Sequence, residues 1–241
     1  MSSKRDQAHQ RPPQRDTASR AQATCALIVA LTVLLNPQAL SARCLIAAEE
    51  GAPLSQGDVI ADLAGMGGTQ GGGYSLGGRL GLTGDRELQL RVGGCQRDIQ
   101  SSRDDAEVSL WGNGVSLGLK QGLLSAKQTG AVALSVSIAT ELLDASDGQE
   151  RGEAYTSLGL TPTALVSYPF SITANREGFI TLRLSGGVQF IDRNLQDSHL
   201  EFHPVIGLSG GAEILPLLSL RGALNWQDGG AFGGASIAYR F

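Results

Sequence analysis

From Asp58 to Phe241 the chain repeats one pattern. About ten residues alternate apolar and non-apolar, a cluster rich in Gly, Asp and Asn follows, and the alternation resumes. In Gly178–Phe190, Ile180, Leu182, Leu184, Gly186, Val188 and Phe190 share one face, and Thr181, Arg183, Ser185, Gly187 and Gln189 the other. Leu200–Ile214 sets Leu200, Phe202, Pro204, Ile206, Leu208 and Ile214 against Glu201, His203, Gly207, Ser209 and Glu213. In Ala131–Leu142, Val132, Leu134, Val136 and Ile138 oppose Ala133, Ser135, Ser137 and Ala139. Such period-two segments predict half-buried strands. Ten are legible: 57–65, 74–83, 87–95, 107–121, 131–142, 154–168, 178–191, 200–214, 219–227 and 231–241. A count of eight is the alternative, since the alternation of the first segment is short. The fourth changes phase near Leu110–Trp111, which predicts a bulge. Pro162 and Pro204 argue against central strands where they stand. No helical period is present after the first 42 residues.

Alternation alone fits two architectures. A soluble barrel turns its apolar face inward, whereas a membrane barrel turns it to lipid and lines its lumen with the polar face. A water-exposed face is dense in Lys, Glu and Asp. Here the polar face is mostly Gly, Ser, Ala, Thr and Gln, which suits a crowded barrel interior. Composition points the same way: charged residues are 17% and Gly 33 of 241, against roughly 25% charged and 7% Gly in ordinary soluble domains. The charges on the polar face balance. Arg79, Arg91, Lys120, Arg183, Arg221 and Arg240 stand against Asp58, Asp62, Glu87, Glu141, Glu201 and Glu213. The apolar face carries none, as expected where a charge at the bilayer midplane costs roughly 2–4 kcal/mol. Arg79, Glu87, Arg91, Lys120, Glu141, Arg183, Glu201, His203, Glu213 and Arg221 are therefore the expected polar network of a lumen. Tyr74, Trp111, Tyr155, Tyr168, Phe179, Phe190, Phe202, Trp226, Tyr239 and Phe241 fall near strand ends, where interfacial girdles place aromatics. The expected fold is all-β, a transmembrane antiparallel up-and-down barrel over residues 57–241.

The N-terminal region reads differently. Lys4, Arg5, Arg11, Arg15 and Arg20 precede the apolar run Cys25–Leu35, Asn36-Pro37 breaks it, and small residues follow to Ala42. This is the layout of a secretory signal peptide over 1–42, and the run is too short to span a bilayer as a helix. Residues 43–56 then read as a periplasmic linker. Cys25 leaves with the signal, and Cys44 and Cys95 remain. With the N-terminus in the periplasm, ten strands return the C-terminus there, as an even-stranded barrel requires. The outer loops are then 66–73, 96–106, 143–153, 192–199 and 228–230, three of them strongly charged. Longer inner connections are expected near 122–130 and 169–177. Cys44 falls on the periplasmic side and Cys95 at an outer strand end, so a Cys44–Cys95 disulfide is not expected.

The final strand carries one sharp motif, with Gly234, Ile237, Tyr239 and Phe241 in the order glycine, apolar, aromatic, terminal Phe. Joined to a signal peptide and alternating segments over about 57–241, it resembles the bacterial outer-membrane β-barrel family, especially small OmpA/OmpW-like barrels. The resemblance implies that these four residues are read by the barrel-assembly machinery. It departs from OmpA in leaving no sequence for a domain after the barrel.

Motifs for chemistry are few. Barrel phospholipases and lipid-A deacylases are similar in placing His two residues before a nucleophilic Ser, and none of His9, His199 and His203 has that neighbour. Asp192 and His199 are the residues that fall where omptin-like barrel proteases carry rim Asp and His. The stretch Gly65–Gly73 has no phosphate-loop or dinucleotide spacing and reads as a flexible hairpin loop. No Cys/His cluster has metal spacing. Asp104, Asp105, Asp144, Asp147, Asp192 and Asp197 read as solvated loop carboxylates. A formal net charge of −4 gives no basic footprint for nucleic acid. The reading is a non-enzymatic outer-membrane barrel without cofactor or metal, embedded in outer-membrane lipid. Its lumen is plugged or narrow, because about eight strands leave an interior just filled by side chains and about sixteen leave a channel. A structural or surface-interaction role follows. The alternatives are a narrow channel or transporter for small or apolar solutes and a secreted soluble ligand-binding barrel, with a barrel-embedded hydrolase as the enzymatic variant.

Overall fold

A computed structural model describes residues 50–68, 71–82, 85–100, 107–147, 154–174, 176–193, 197–227 and 230–241. The expected signal peptide, residues 43–49 of the expected linker, and Asp104 and Asp105 lie outside these residues. The described elements are β1 (Val59–Gly68), β2 (Gly71–Gly81), β3 (Arg86–Gln100), β4 (Glu107–Leu124), α1 (Ala126–Thr129), β5 (Ala133–Ser146), β6 (Ala154–Thr173), β7 (Arg176–Arg193), β8 (Asp197–Leu215), β9 (Leu218–Gln227) and β10 (Gly230–Arg240).

Each strand pairs antiparallel with its sequence neighbours, and β10 returns to β1, so the sheet is a closed barrel of ten strands, not eight. The closing ladder runs from Ile60↔Arg240 to Gly68↔Phe232, with Leu63 opposite Ile237. Closure satisfies the backbone groups that an open edge would leave bare.

Alternation places side chains on two faces with opposite character. Leu63, Leu76, Leu90, Leu117, Leu160, Leu182, Leu224 and Ile237 are exposed on the outside, while Asp62, Arg79, Glu87, Arg91, Lys120, Arg183 and His203 are buried inside. The interior is not uniformly polar. Cys95, Val108, Leu110, Leu143, Ala145, Tyr155 and Ile191 form a buried apolar cluster. These residues lie in the far half of β3 to β7, away from the rim that carries Val59 and Arg240.

This cluster explains a corrected expectation. The β3–β4 ladder runs unbroken from Arg86↔Gln121 to Gln100↔Glu107, so there is no bulge at Leu110–Trp111. Leu110 is buried inside and Trp111 exposed outside. Two adjacent apolar residues read as a phase change only because the interior is apolar at that height. Among the described residues, register shifts fall at Gly122/Leu124, Ser171/Thr173 and Glu213/Leu215, all at the near rim, a usual place for barrel bulges. Tyr155 and Phe179 are likewise inward and buried and do not belong to a girdle.

Connections are tighter than expected. The glycines of the expected Gly65–Gly73 loop are strand residues, with Gly68 paired to Gly71. Asp144 and Asp192 lie in β5 and β7. The expected connection over 169–177 shrinks to residues 174–175. The one over 122–130 holds α1, closed by Gly130 at φ 77, a left-handed value that glycine adopts without strain. Pro162 and Pro204 do sit within strands. The β6–β7 ladder skips from Leu160↔Val188 to Thr163↔Ser185, which accommodates the N–H that Pro162 lacks.

The closing register is testable by crosslinking. Facing strand residues have Cα separations within disulfide range, so Leu63→Cys with Ile237→Cys is expected to crosslink on oxidation. Leu63→Cys with Ser236→Cys, on opposite faces, is not. Mass spectrometry of proteolytic fragments reads both, and the reverse outcome would sink the register.

Candidate functional site

The interior chemistry is built around Glu87, the second residue of β3. Lys120 of β4 is its cross-strand partner, and Arg79 of β2 is a diagonal neighbour. Both cations reach the carboxylate. Arg79 Nε donates to Oε1 at 2.7 Å and Nη2 to Oε2 at 2.9 Å, while Lys120 Nζ lies 3.1 Å from Oε2. Gln89 Nε2 adds a bond to Oε1 at 2.8 Å, and the backbone N–H of Leu54 donates to Oε2 at 3.0 Å. Lys120 and Glu87 have no solvent exposure. A buried carboxylate is tolerated when it is paired and its lone pairs are taken, and this one accepts from every side.

A second cluster lies one row further in. Arg91 Nη2 donates to Asp62 Oδ1 at 2.7 Å, and Nη1 to Ser75 Oγ at 2.8 Å. Arg91 is on β3 and Asp62 on β1, with β2 between them. The residue between them is Gly77, paired to Arg91 on one side and Asp62 on the other. A Cβ there would fall 2.8 Å from both the Arg91 Cζ and Asp62 Oδ2. Glycine at an inward position thus lets side chains of its two neighbouring strands meet above it. Gly211 does the same: it is paired to Phe179 of β7 and Arg221 of β9, and the Arg221 guanidinium lies 5.7 Å from the Phe179 ring centroid. In that geometry the cation meets the negative face of the ring.

The remaining expected lumen residues divide. Glu201 of β8 bridges two histidines of its own strand, 2.8 Å from His199 Nε2 and 3.2 Å from His203 Nε2. Arg183 is buried, but its Nε has no hydrogen-bond partner among the described residues. Glu141 and Glu213 are half-buried on β5 and β8. Arg221 donates to Ser219 Oγ at 3.2 Å. Direct contacts join several of the ten. Arg79, Glu87 and Lys120 meet directly, Arg91 joins Asp62, and Glu201 joins His203.

The rim residues considered for chemistry do not converge. His199 shares the inward face with Glu201, whereas Asp192 is in phase with outward Phe190. His203 and Ser209 are both inward on β8, six residues and so about 20 Å apart. Asp144 accepts from Thr156 Oγ1 at 2.9 Å across an exposed strand pair. Among the described residues, no group of three or more His, Cys, Asp and Glu is placed to hold a metal ion.

In β10, Ile237 and Tyr239 point outward, and just past it the exposed Phe241 ring makes an edge contact with Tyr239 at 4.9 Å. Gly234 pairs with Met66 and Ala223, and a Cβ on it would lie 2.8 Å from the Gly65 carbonyl.

Two features were not anticipated. Residues 50–55 are seated inside the near mouth rather than below it: Lys120 Nζ donates to the Glu50 carbonyl at 3.0 Å, and Gly51 and Leu54 are buried. Nothing in a short aperiodic segment signals this. Cys95, moreover, is disulfide-bonded. Its partner lies outside the described residues, and so does Cys44. The expectation that Cys44 and Cys95 are not joined to each other falls on a residue outside the described ones.

No family model matches the chain, and no curated protein matches it. Solved structures do. The β domain of the Bordetella autotransporter BrkA is 12% identical with a TM-score of 0.48, covering 78% of this chain and all of that one. The translocator domain of the autotransporter NalP from Neisseria meningitidis is 15% identical with a TM-score of 0.41, covering 93% and 97%. The COG4313 outer membrane channel from Pseudomonas putida F1 is 10% identical with a TM-score of 0.42, covering 81% and 100%. Likeness at this level assigns neither a family nor an activity.

The glycine bridge gives a test by mutant cycle. Separating a buried ion pair leaves charges uncompensated, at about 3–5 kcal/mol. Gly77→Val and Asp62→Asn are each expected to lose stability on that scale in urea unfolding from lipid vesicles. Both break the same pair, so the double variant falls well short of the sum. Gly78→Val, whose Cβ would meet open space, is the neutral control. Full additivity of the first two would show that Gly77 does not act through the pair.

Proposed function

We propose that this chain is an outer-membrane β-barrel whose polar lumen is closed, with a structural or surface-interaction role. The observation that carries the reading is the exterior. Large apolar side chains cover the outer face of all ten strands, and aromatics stand towards both rims: Tyr74, Trp111, Phe190 and Trp226 at the far rim, Tyr168, Phe170, Tyr239 and Phe241 at the near rim. A secreted soluble barrel would have to hide this face, because exposed apolar patches beyond a few hundred Å² are rare on soluble monomers. Strand length agrees. β1, β2, β9 and β10 have 10, 11, 10 and 11 residues, matching the roughly 9–11 that a tilted strand needs to cross a bilayer.

The closed lumen is supported by its contents. Arg79, Glu87 and Lys120 fill the near end, and Leu110, Tyr155 and Ile191 the far end. The surface role is supported by the far rim, where Asp197–Val205 of β8 continues past Ile206↔Trp226, the last pair with β9. That segment stands above the sector formed by the short strands. The proposed orientation puts the near rim in the periplasm and the far rim outside the cell. The proposed partners are outer-membrane lipid and, during biogenesis, the assembly machinery; no catalytic role is assigned.

Fractionation tests the reading. The protein is expected in the outer-membrane fraction, with gel mobility that changes on heating in detergent; a soluble periplasmic protein of fixed mobility would overturn it. Leu76 sits at the centre of β2 and faces outward. Leu76→Arg is expected to lose about 2–4 kcal/mol of stability in vesicles.

The Phe241 side chain is 72% exposed and meets the edge of the Tyr239 ring. Phe241→Ala is therefore expected to lower the outer-membrane level of the protein while leaving urea unfolding of the assembled barrel nearly unchanged. Normal levels in membranes would remove the assembly role.

A further inference from the structure

The far rim carries an open strand edge. β8 keeps its pairing with β7 up to Arg193↔Asp197, but its last pair with β9 is Ile206↔Trp226. Over residues 197–205 it therefore has a neighbouring strand on one side alone among the described residues. Across the gap stands β3, which runs to Gln100 past its last pair with β2, Gly71↔Arg97. β9, β10, β1 and β2 stop short between these two walls. Five strand spacings separate them, about 24 Å, so a further strand has room beside β8.

The hydrogen bonds fix which groups the edge presents. Phe241 N–H bonds the Val59 carbonyl and Arg240 N–H the Leu217 carbonyl, so even residues of β10 face β9. Counting across Ala238↔Ser219 and Ile206↔Trp226, even residues of β8 face β9 in turn. Beyond Ile206 the N–H and C=O groups of Ser198, Leu200 and Phe202 therefore point into the gap, with the Pro204 carbonyl. Pro204 has no N–H to offer, which confines strand addition to the stretch beyond it. An unpaired edge is not tolerated in hydrocarbon, so on this side the bilayer ends near Trp226 and the edge stands in the polar layer or outside it.

The side chains of the edge describe its occupant. Leu200 faces outward and is 70% exposed, against 45% for Phe190, its cross-strand neighbour on β7, since no strand lies on its other flank among the described residues. Phe202, next on the same face, is half-buried. On the inward face Glu201 holds its carboxylate between His199 and His203. A strand laid on this edge sets alternate residues beside Leu200 and Phe202, where apolar side chains fit. The residues between them face Glu201, and a positive charge is the complement of that carboxylate.

We propose that the β8 edge at the far rim is a docking site for an extended segment of another protein, one that alternates apolar and basic residues and adds to the barrel wall as a strand. The proposal rests on the surface-interaction reading above and names its class of partner. Added strands bind through main-chain hydrogen bonds, and alternate side chains supply the specificity. A second copy of this chain fits poorly. Two barrels upright in one membrane, related by an axis along its normal, bring their tilted edges together crossed rather than antiparallel.

The test uses the full chain in nonionic detergent and a fluorescein-labelled nine-residue peptide of alternating Val and Lys. Anisotropy is expected to show saturable binding, about tenfold weaker for a Val–Glu peptide of the same length. Ser198→Pro and Leu200→Pro each remove one donor from the open side and leave the ladder to β7 in place. Each is expected to weaken binding about fivefold or more, whereas Leu76→Ala, outward on β2, leaves it unchanged. Hydrogen exchange on the unaltered protein serves where a proline variant does not fold: the amides over 198–202 are expected to slow when the Val–Lys peptide is added. Undiminished binding by proline variants of heat-modifiable mobility, unprotected amides over 198–202, or equal binding of the two peptides overturns the proposal. So does a Leu200→Cys disulfide between two copies, which makes a second copy the occupant. An unaltered protein that is soluble and not heat-modifiable would instead refute the outer-membrane reading. A Leu200→Cys thiol closed to an impermeant maleimide on intact cells would refute the outward orientation, whether or not the peptide binds.

Discussion

The ladder between β10 and β1 is the interaction on which the rest depends. A sheet of ten strands with one apolar face has two bare edges and could pair with other chains. Joining Ile60 to Arg240 and Gly68 to Phe232 removes the edges along the whole short sector. It also divides the side chains into an inside and an outside that no longer communicate. In hydrocarbon, where nothing else satisfies backbone groups, a closed sheet is one of only two structures that can span. The apolar exterior and the closed ladder are thus two halves of one condition.

Closure creates the second constraint, an interior too small to be bulk water and too polar to be an oil-like core. Charges on adjacent strands meet directly, as Glu87 meets Lys120 and Arg79, but charges two strands apart are separated by the strand between. The inward glycines resolve this. With no Cβ at Gly77, Arg91 reaches Asp62 over the intervening strand; with none at Gly211, Arg221 reaches the ring of Phe179. Part of the unusual glycine content therefore reflects packing inside the barrel rather than loop flexibility.

The strand pattern was legible because one rule, alternation, holds for every strand. Ile180 through Phe190 outside and Thr181 through Gln189 inside follow from it directly, and ten segments could be counted. What escaped it is informative. Leu110, Tyr155, Phe179 and Ile191 are apolar and inward, and alternation cannot separate an apolar lumen residue from a lipid-facing one. Leu110 beside Trp111 therefore read as a bulge. The lumen residues were found by face, but their pairing was not, because Arg91 and Asp62 meet across an intervening strand. The segment 50–55 was invisible for another reason. Its hydrogen bonds to the wall are made by its backbone, Leu54 N–H to Glu87 and the Glu50 and Ala52 carbonyls to Lys120, and these leave no mark in residue type.

The same segment also changes the electrostatics of the wall. Glu87 faces two cations, Arg79 and Lys120, so the three side chains alone leave an excess positive charge in a buried site. Lys120 has three donors and no acceptor, and one carboxylate oxygen does not use them all. The carbonyl oxygens of Glu50 and Ala52 take up the remainder, while the Leu54 N–H takes a lone pair of Glu87. Glu50 adds a negative charge beside Arg221. The wall is thus completed by the segment that crosses it: the same donors that would face water in an empty lumen are the ones that hold the chain in place.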